Sequence, residues 1–354
     1  MAAGARAALR ALLALLCCGA PCAVGGVALR PRAGPGDVKV PRVRLPGGGG
    51  AMPMAGLGLP KCEPDAAVGG DCREKARNAT LEFLLLGGRL LDTALAYENH
   101  RAVGAAIREA VDRHGVRRED IFVSSKINPD WFGTGNVTRA VRRTLDELGL
   151  EYVDQLLLHH PGRAGRAPAQ AGIAGCSSWR QCREDAWLAL SRARDDGLVR
   201  AVGVSNFGPR QISELLDLGA APVASHQQEL HPWVPRAWRR AADFCRAHGI
   251  EVTAYAAIGG GRSKQYKGGR FLASGAVGAI ATAHSRSPSQ VLLRWAVQSG
   301  VHVIPRSFNP EHMRQNLDIF DWALSGEEMR ELGSIPEDQR KPQYEYMHTP
   351  DRIP

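Results

Sequence analysis

The sequence lacks three features that would assign it to a common class. Its N-terminal apolar run, residues 11–18, is too short to cross a bilayer, which takes about 20 apolar residues. The glycine run at residues 47–50 has no strand before it, no helix after it and the wrong spacing for a dinucleotide-binding fingerprint. The basic residues that give a net charge of +9 are dispersed. These absences argue against a membrane span, a Rossmann domain and a nucleic-acid-binding protein.

The N-terminal segment has the layout of a secretory signal peptide. Arg6 and Arg10 precede the apolar run, and small residues follow it. An organelle transit peptide, for a plastid or mitochondrion, is the alternative, because no acidic residue occurs before Asp37. We therefore expect residues 1–25 to be a signal or targeting peptide. Residues 26–50 are rich in Gly, Pro and Arg and are predicted to be a linker without a fold of its own.

The cysteines favour the secretory pathway, either the ER lumen or secretion. Removal of residues 1–25 would take Cys17, Cys18 and Cys22 and leave five of the eight cysteines. Four of these five form the close pairs Cys62/Cys72 and Cys176/Cys182, and close spacing suits disulfides in an oxidising compartment. Cys245 is expected to be a buried small hydrophobe. N-glycosylation sequons at Asn78 and Asn136 predict a glycoprotein.

Residues 51–335 alternate between short apolar runs and longer segments of helical period. The predicted strands are 53–58, 89–93, 121–126, 153–160, 199–206, 224–229, 251–256 and 302–307. The predicted helices include 101–114, 137–148, 184–195, 236–248, 288–298 and 325–332. Eight such units indicate an α/β fold in one domain, a (β/α)8 TIM barrel, with an open doubly wound sheet as the alternative. Residues 336–354 are predicted to be a C-terminal tail.

Polar side chains lie at the carboxyl ends of seven of the predicted strands. In chain order they are Asp92, Lys126, His159, Ser205 with Asn206, Gln227, Tyr255, and Arg306 with Ser307. The carboxyl ends of the strands of a parallel barrel converge on one face, where such barrels place their active sites. The series therefore predicts a functional site on this face.

Five segments resemble the aldo-keto reductase family at matching spacing. They are LDTALAYEN at 91–99, SSK at 124–126, YVDQLLLH at 152–159, GLVRAVGVSNF at 197–207 and IPRS at 304–307. The resemblance extends from about residue 52 to residue 332. It implies a barrel enzyme that binds NADP(H) across the C-terminal face and reduces aldehydes or ketones.

By this resemblance, the catalytic tetrad is Asp92, Tyr97, Lys126 and His159. Reduction of a carbonyl by hydride leaves negative charge on oxygen, so a proton donor is needed beside it. Tyrosine is a weak acid, with an ordinary pKa of about 10, and a nearby ammonium makes its proton easier to release. The resemblance assigns proton donation to Tyr97, and the neutral imidazole of His159 would orient the carbonyl.

The resemblance also implies the cofactor residues. Ser205, Asn206 and Gln227 match the positions that bind the nicotinamide carboxamide, and Tyr255 matches the aromatic that stacks on the nicotinamide ring. The remaining matches are Arg306, Ser307 and His312 for the adenosine 2′-phosphate and Asn316 for adenine. His312 stands where the family has a second arginine, so NADPH is the expected cofactor and NADH use is conceivable.

Substrate residues are the least constrained part of the prediction. Trp131, Phe132 and His160 are candidates to line the pocket, and His160 replaces the aromatic that usually follows the catalytic histidine. The expected substrate is a small carbonyl compound. We expect no metal site, no nucleic-acid partner and a monomer. A slow or non-catalytic nucleotide-binding regulatory protein on the same barrel is the alternative function.

Overall fold

Parallel strands form the centre of the molecule. The structure is a computed structural model that describes residues 39–62, 72–133, 135–260, 275–336 and 353. Eight strands pair in parallel in chain order. They are β3 (Leu57–Gly58), β4 (Leu90–Asp92), β5 (Phe122–Ile127), β6 (Val153–Leu158), β7 (Val199–Ser205), β8 (Ser225–Glu229), β9 (Glu251–Tyr255) and β10 (Val301–Val303). All eight predicted strands are therefore confirmed to within a few residues, in one parallel, curled sheet.

The two edges of this sheet approach each other. Ala55 forms a parallel bridge with Val303, and the backbone N–H of Gly56 donates to the Val303 carbonyl at 2.8 Å. Strands β5, β6 and β8 are buried along their whole length, as expected for parallel strands with helices packed outside. The carboxyl ends of the strands thus come together on one face.

Helices follow the strands along the chain. They are α1 (Cys72–Leu85), α2 (His100–His114), α3 (Asn136–Leu148), α4 (Trp179–Asp195), α5 (Pro209–Leu216), α6 (Arg236–Ala247), α7 (Gly275–Ala283), α8 (Pro288–Gln298), α9 (Pro310–Leu317) and α10 (Gly326–Gly333). The six predicted helices are confirmed. Four others were not predicted: α5 and α9 have only eight residues each, α7 is almost uniformly apolar, and α1 is largely polar. Within the described ranges, no helix is long and apolar enough to span a membrane.

The linker predicted for residues 26–50 is wrong for its last part. A short antiparallel hairpin pairs β1 (Arg42–Arg44) with β2 (Ala51–Pro53). The connecting turn contains a 3-10 helix, Pro46–Gly48, and Gly47 has a φ of 70°, which glycine adopts without strain. Met52 is buried, which anchors the hairpin to the core. The glycines that were predicted to belong to a linker therefore form a tight turn.

Other predicted segments lie outside the described residues. These are the targeting peptide at 1–25, residues 26–38 of the linker, and the tail at 336–354 apart from Pro336 and Ile353. The described residues all belong to one compact unit.

Candidate active site

A buried ion pair lies where β4 and β5 end. The Lys126 Nζ is 2.6 Å from Asp92 Oδ2 and donates to the Thr93 carbonyl at 2.9 Å. The lysine and aspartate side chains are only 1% and 5% exposed. Parallel pairing of β4 with β5 places the two residues side by side at one face. A charged pair this deep in a protein costs desolvation energy, which is a common feature of functional sites.

Tyr97 and His159 lie next to this pair. Tyr97 belongs to a short 3-10 helix, Leu95–Tyr97, that follows β4. The Lys126 Nζ is 5.3 Å from the centroid of the Tyr97 ring, and the His159 ring is 5.7 Å from it, centroid to centroid. The backbone N–H of His159 donates to the Ile127 carbonyl, which aligns the end of β6 with β5. The structure thus brings all four predicted catalytic residues together.

Burial controls the charges of this cluster. It lowers the pKa of Lys126, and the neighbouring Asp92 carboxylate opposes that effect. It also lowers the pKa of His159 well below its ordinary value, with smaller contributions from His160 and Lys126. His159 is therefore an uncharged imidazole at neutral pH, and it can donate or accept a hydrogen bond but carries no charge.

The second oxygen of Asp92 is also occupied. The Gln227 Nε2 donates to Asp92 Oδ1 at 2.7 Å. Gln227 lies on β8, four strands from β4 in the sheet order, so this hydrogen bond reaches across the interior of the curled sheet. The family resemblance assigns Gln227 only to the binding of the nicotinamide. No sequence signal indicates the contact with Asp92, because 135 residues separate the two side chains.

The predicted nicotinamide residues form a second cluster beside the first. The Asn206 Nδ2 donates to the His159 carbonyl and to Ser205 Oγ, both at 3.0 Å, and the Tyr255 hydroxyl donates to Asn206 Oδ1 at 2.7 Å. Asn206 and Ala256 have positive φ values of 63° and 50°. These unusual backbone conformations occur at the ends of β7 and β9, the two strands that flank β8, and are typical of residues held for function.

The predicted phosphate and adenine residues lie after β10. Arg306 and His312 are exposed, whereas Ser307 and Asn316 are half-buried. Ser307 Oγ accepts from the Asn309 N–H at 3.1 Å, and Asn309 caps helix α9 through its side chain. The structure therefore places these four residues around the start and the face of one short helix, near the carboxyl end of β10.

The three substrate candidates have different environments. Trp131 is half-buried, and its ring lies 5.7 Å from the Arg143 guanidinium. His160 is buried, and its ring stacks on that of His159 with centroids 4.6 Å apart. Phe132 has no exposed surface and belongs to the main hydrophobic core. Its burial indicates a packing role, so Trp131 and His160 are the better candidates to contact a ligand.

Both predicted cysteine pairs lie at disulfide distance. The Cα atoms are 5.5 Å apart in Cys62–Cys72 and 5.3 Å apart in Cys176–Cys182. Cys245 is free and buried as predicted, and burial raises the pKa of its thiol to about 12. A thiol with so high a pKa is unreactive. Among the described residues, no cluster of three His, Cys, Asp or Glu side chains could hold a metal ion.

Known proteins resemble this chain over most of their length. Residues 67–337 match the Aldo/keto reductase family. The chain is 34% identical to a D-galacturonate reductase from Fragaria ananassa, over 86% of this chain and 93% of that protein. It is 37% identical to an aldo-keto reductase from Mycolicibacterium vanbaalenii, over 82% and 90%. The chain belongs to the aldo-keto reductase family.

Solved structures agree with the sequence comparison. An aldo-keto reductase of Bombyx mori, in complex with NADP, superposes with a TM-score of 0.76 at 27% identity, over 90% of this chain and all of that one. An aldo-keto reductase complexed with NADPH gives a TM-score of 0.73 at 25% identity, over 86% and 90%. The fold and the family are thus established independently of the site residues.

Proposed function

We propose that this protein reduces an aldehyde or ketone to an alcohol, with NADPH as the hydride source and Tyr97 as the proton donor. The observation that carries the proposal is the buried Lys126–Asp92 pair, 2.6 Å apart, beside the Tyr97 ring. Membership of a reductase family and the cofactors named for two solved relatives support it.

Tyr97 would donate its phenolic proton to the carbonyl oxygen as the hydride reaches the carbonyl carbon. The Lys126 ammonium stabilises the phenolate that remains, which lowers the cost of releasing the proton. Asp92 fixes the position of that ammonium. Because the pair is buried, its electrostatic effect on Tyr97 is screened less than it would be in water.

His159 would orient the substrate. Burial keeps its imidazole neutral, so it can hydrogen bond to the carbonyl oxygen without placing a second positive charge beside Lys126. The stacked ring of His160 extends this polar wall. We infer that the substrate carries a polar group close to its carbonyl, since the His160 imidazole stands where an aromatic residue usually follows the catalytic histidine.

The residues at the ends of β7, β8 and β9 fit a nicotinamide. Ser205, Asn206 and Gln227 supply amide and hydroxyl groups, which a carboxamide requires as both donor and acceptor, and Tyr255 supplies a ring. When bound, NADPH supplies the hydride. The three strands that carry these groups, β7–β9, are consecutive in the sheet, and the bridge between Ala55 and Val303 supports a closed (β/α)8 barrel with the cofactor on its carboxyl face.

Arg306 and Ser307 would bind the 2′-phosphate, with His312 beside them and Asn316 near the adenine. Arg306 is exposed and permanently charged, so it is available to a phosphate. His312 adds charge only when protonated, which weakens the preference for NADPH over NADH.

We infer a secretory location. Two cysteine pairs lie at disulfide distance, and Asn78 is exposed on α1, where a glycan would meet solvent. Asn136 is half-buried and donates to the Phe132 carbonyl, so its sequon is the poorer acceptor. Mass spectrometry of the mature protein tests this location. Reduced cysteines and an unmodified Asn78 would favour a plastid or mitochondrion.

The decisive experiment measures NADPH oxidation with a panel of aldehydes and ketones. Tyr97→Phe should lose turnover by roughly 10³-fold, within the range for general acid catalysis. Tyr152→Phe is the matched control, because Tyr152 stacks between Arg118 and Arg200 at the opposite ends of the strands. Equal rates for wild type and Tyr97→Phe would refute the proposal. NADPH binding without turnover of any carbonyl would favour the regulatory protein instead.

A further inference from the structure

Tyr97 lies in the loop between β4 and α2, residues 93–99. Its 3-10 turn is closed by the Tyr97 N–H and the Ala94 carbonyl at 2.9 Å, and Thr93 Oγ1 donates to Asn99 Oδ1 at 2.6 Å, which joins the two ends of the loop. Between them, Glu98 has a φ of 54°, in the left-handed region that is unfavourable for a non-glycine residue. Further contacts, from outside the loop, hold the backbone at Tyr97 and Glu98.

Those contacts come from the chain on either side of residues 63–71. The Cys62 N–H donates to the Tyr97 carbonyl at 2.8 Å, and the Asn99 Nδ2 donates to the Pro60 carbonyl at 2.7 Å. From the first turn of α1, the Arg73 Nε donates to the Glu98 carbonyl at 3.0 Å. Three consecutive residues of the loop, 97 to 99, are thus held by hydrogen bonds from these two segments.

A disulfide joins the two segments at the point of contact. Cys62 itself holds the backbone of Tyr97, and its partner Cys72 precedes Arg73, which holds Glu98. Cys62 is only 2% exposed. One cysteine of the disulfide therefore makes the contact with Tyr97 itself, and the other is adjacent to the residue that makes the contact with Glu98.

We propose that Cys62 and Cys72 are positioning residues for the reduction, and that their disulfide holds Tyr97 at its working distance from Lys126. This proposal rests on the role proposed for Tyr97. Without the bond, Cys62 and α1 can move independently, and the hydrogen bonds at Tyr97 and Glu98 no longer share one rigid support. Small displacements of a reacting group cost large factors in rate, roughly 100-fold for 1 Å.

The cofactor side of the site should not sense this bond. Ser205 and Asn206, at the end of β7, hydrogen bond to each other, and Asn206 and Gln227 hydrogen bond to His159, Tyr255 and Asp92. Turnover and cofactor binding should therefore separate when the disulfide is removed.

The second disulfide supplies a matched control. Cys176–Cys182 closes a similar short loop, with six residues of sequence separation against ten. Its neighbour Arg183 donates to the Pro161 carbonyl at 3.2 Å, but a buried ion pair with Glu214 holds that guanidinium in place without the disulfide. Removal of this bond should leave the catalytic cluster as it is.

The test compares C62S/C72S with C176S/C182S in full-length protein. For C62S/C72S, kcat at saturating NADPH should fall about ten-fold, as a partial loss of positioning predicts, while the NADPH dissociation constant stays within two-fold. The alkaline limb of the kcat profile should move to higher pH, since a tyrosine farther from an ammonium has a higher pKa. Both parameters of C176S/C182S should match wild type.

A second measurement covers the case in which C62S/C72S does not fold. Folded C176S/C182S protein is treated with dithiothreitol, which transfers two electrons and two protons, breaks the Cys62–Cys72 bond and leaves two thiols while the reagent becomes its cyclic disulfide. Activity should fall about ten-fold and return on reoxidation. Mass spectrometry confirms the redox state at each step.

Two results would overturn the proposal. One is an unchanged kcat without the Cys62–Cys72 bond, and the other is an equal loss of kcat in both double variants. Tyr97→Phe in the same assay separates these failures from failure of the proposed function. If that variant retains activity, the role of Tyr97 is wrong; if it is inactive and the cysteine variants are normal, only the positioning role is wrong.

Discussion

Both ends of the strands carry an aspartate, a basic side chain and a tyrosine. At the carboxyl ends, Asp92 pairs with Lys126 beside Tyr97. At the amino ends, Asp154 accepts from the Val123 N–H at 2.9 Å and from Arg118 at 3.0 Å, and Arg200 approaches it at 3.4 Å. The two guanidiniums lie 4.2 and 3.7 Å from the centroid of the Tyr152 ring. The same residue types thus build two different structures.

The two clusters differ in the kind of cation they contain and in the access of that cation to water. Arg118 and Arg200 are 18% and 43% exposed, and a guanidinium keeps its proton under all ordinary conditions. Lys126 is 1% exposed, and burial lowers its pKa. The amino-end cluster is suited to joining β5, β6 and β7. Only the carboxyl-end cluster combines a buried cation with a tyrosine that is half-buried and within reach of a ligand.

Removal of one cation from each cluster, Lys126 or Arg118, should separate these roles most clearly. Asp92→Asn/Lys126→Met removes the ammonium beside Tyr97 without leaving a buried carboxylate unpaired, and kcat should fall roughly 100- to 1000-fold. Arg118→Met should change kcat less than two-fold. Steady-state NADPH oxidation measures both variants. A comparable loss in the Arg118 variant would mean that the two clusters do not differ in function.

The hydrogen bond from Gln227 should give the next largest effect. In Gln227→Glu, a carboxylate would face Asp92 Oδ1, and like charges should lower kcat about ten-fold at neutral pH. At pH 5 the introduced carboxyl becomes protonated and donates to Asp92 again, so much of the loss should be recovered. Gln227→Met is the companion variant, since it loses the donor at every pH.

The kcat ratio of each variant to wild type, measured from pH 5 to pH 8, tests this idea. Recovery in Gln227→Glu alone supports a positioning role for the Gln227–Asp92 contact. Parallel profiles for the two variants would mean that Gln227 affects catalysis only through the cofactor.

The sequence predicted the strands well because their burial leaves a simple signal. In β6 the signal is the apolar run Leu156–Leu158, and the polar residue that follows it marks the functional face. Helices with a clear apolar stripe, such as α3 and α6, were also predicted. Helix α7 was not, because it consists almost entirely of glycine and apolar residues, so no polar face marks a helical period.

The site was predicted in its residue types but not in its connections. Asp92, Lys126 and His159 lie at strand ends, where the strand pattern indicates their position, and the family resemblance added Tyr97 in the loop after β4. The contact between Gln227 and Asp92 spans the sheet, and the contact between Cys62 and Tyr97 joins two irregular loops. Neither leaves a periodic signal. The burial of Phe132 was missed for a related reason, since a loop aromatic can point into the core or out of it.

Asp154→Asn should affect stability and leave turnover unchanged. The amide can still accept from Val123, but the charge-assisted bonds from Arg118 and Arg200 are lost. Allowing for the solvent around Arg200, the free energy of unfolding should fall by about 1–2 kcal/mol. Urea denaturation measures this change, and kcat should stay within two-fold of wild type. A large loss of kcat at full stability would place Asp154 in the catalytic machinery after all.

Two buried histidines should produce the smallest effect, a dependence of stability on pH. Burial lowers the pKa of His226 to about 3 and that of His159 well below its ordinary value. The folded state therefore binds fewer protons than the unfolded state below pH 6.5, so the stabilisation is complete above that pH and is lost as pH falls. Between pH 6.5 and 5.5 the loss should be up to about 1 kcal/mol for each histidine.

Urea denaturation at these two pH values should show a smaller drop in the free energy of unfolding for His226→Gln than for wild type. The side-chain oxygen of the glutamine can still accept from the Phe207 N–H. An equal drop in both proteins would mean that His226 takes up its proton without unfolding, and that the interior of the sheet is less closed to water than its burial indicates.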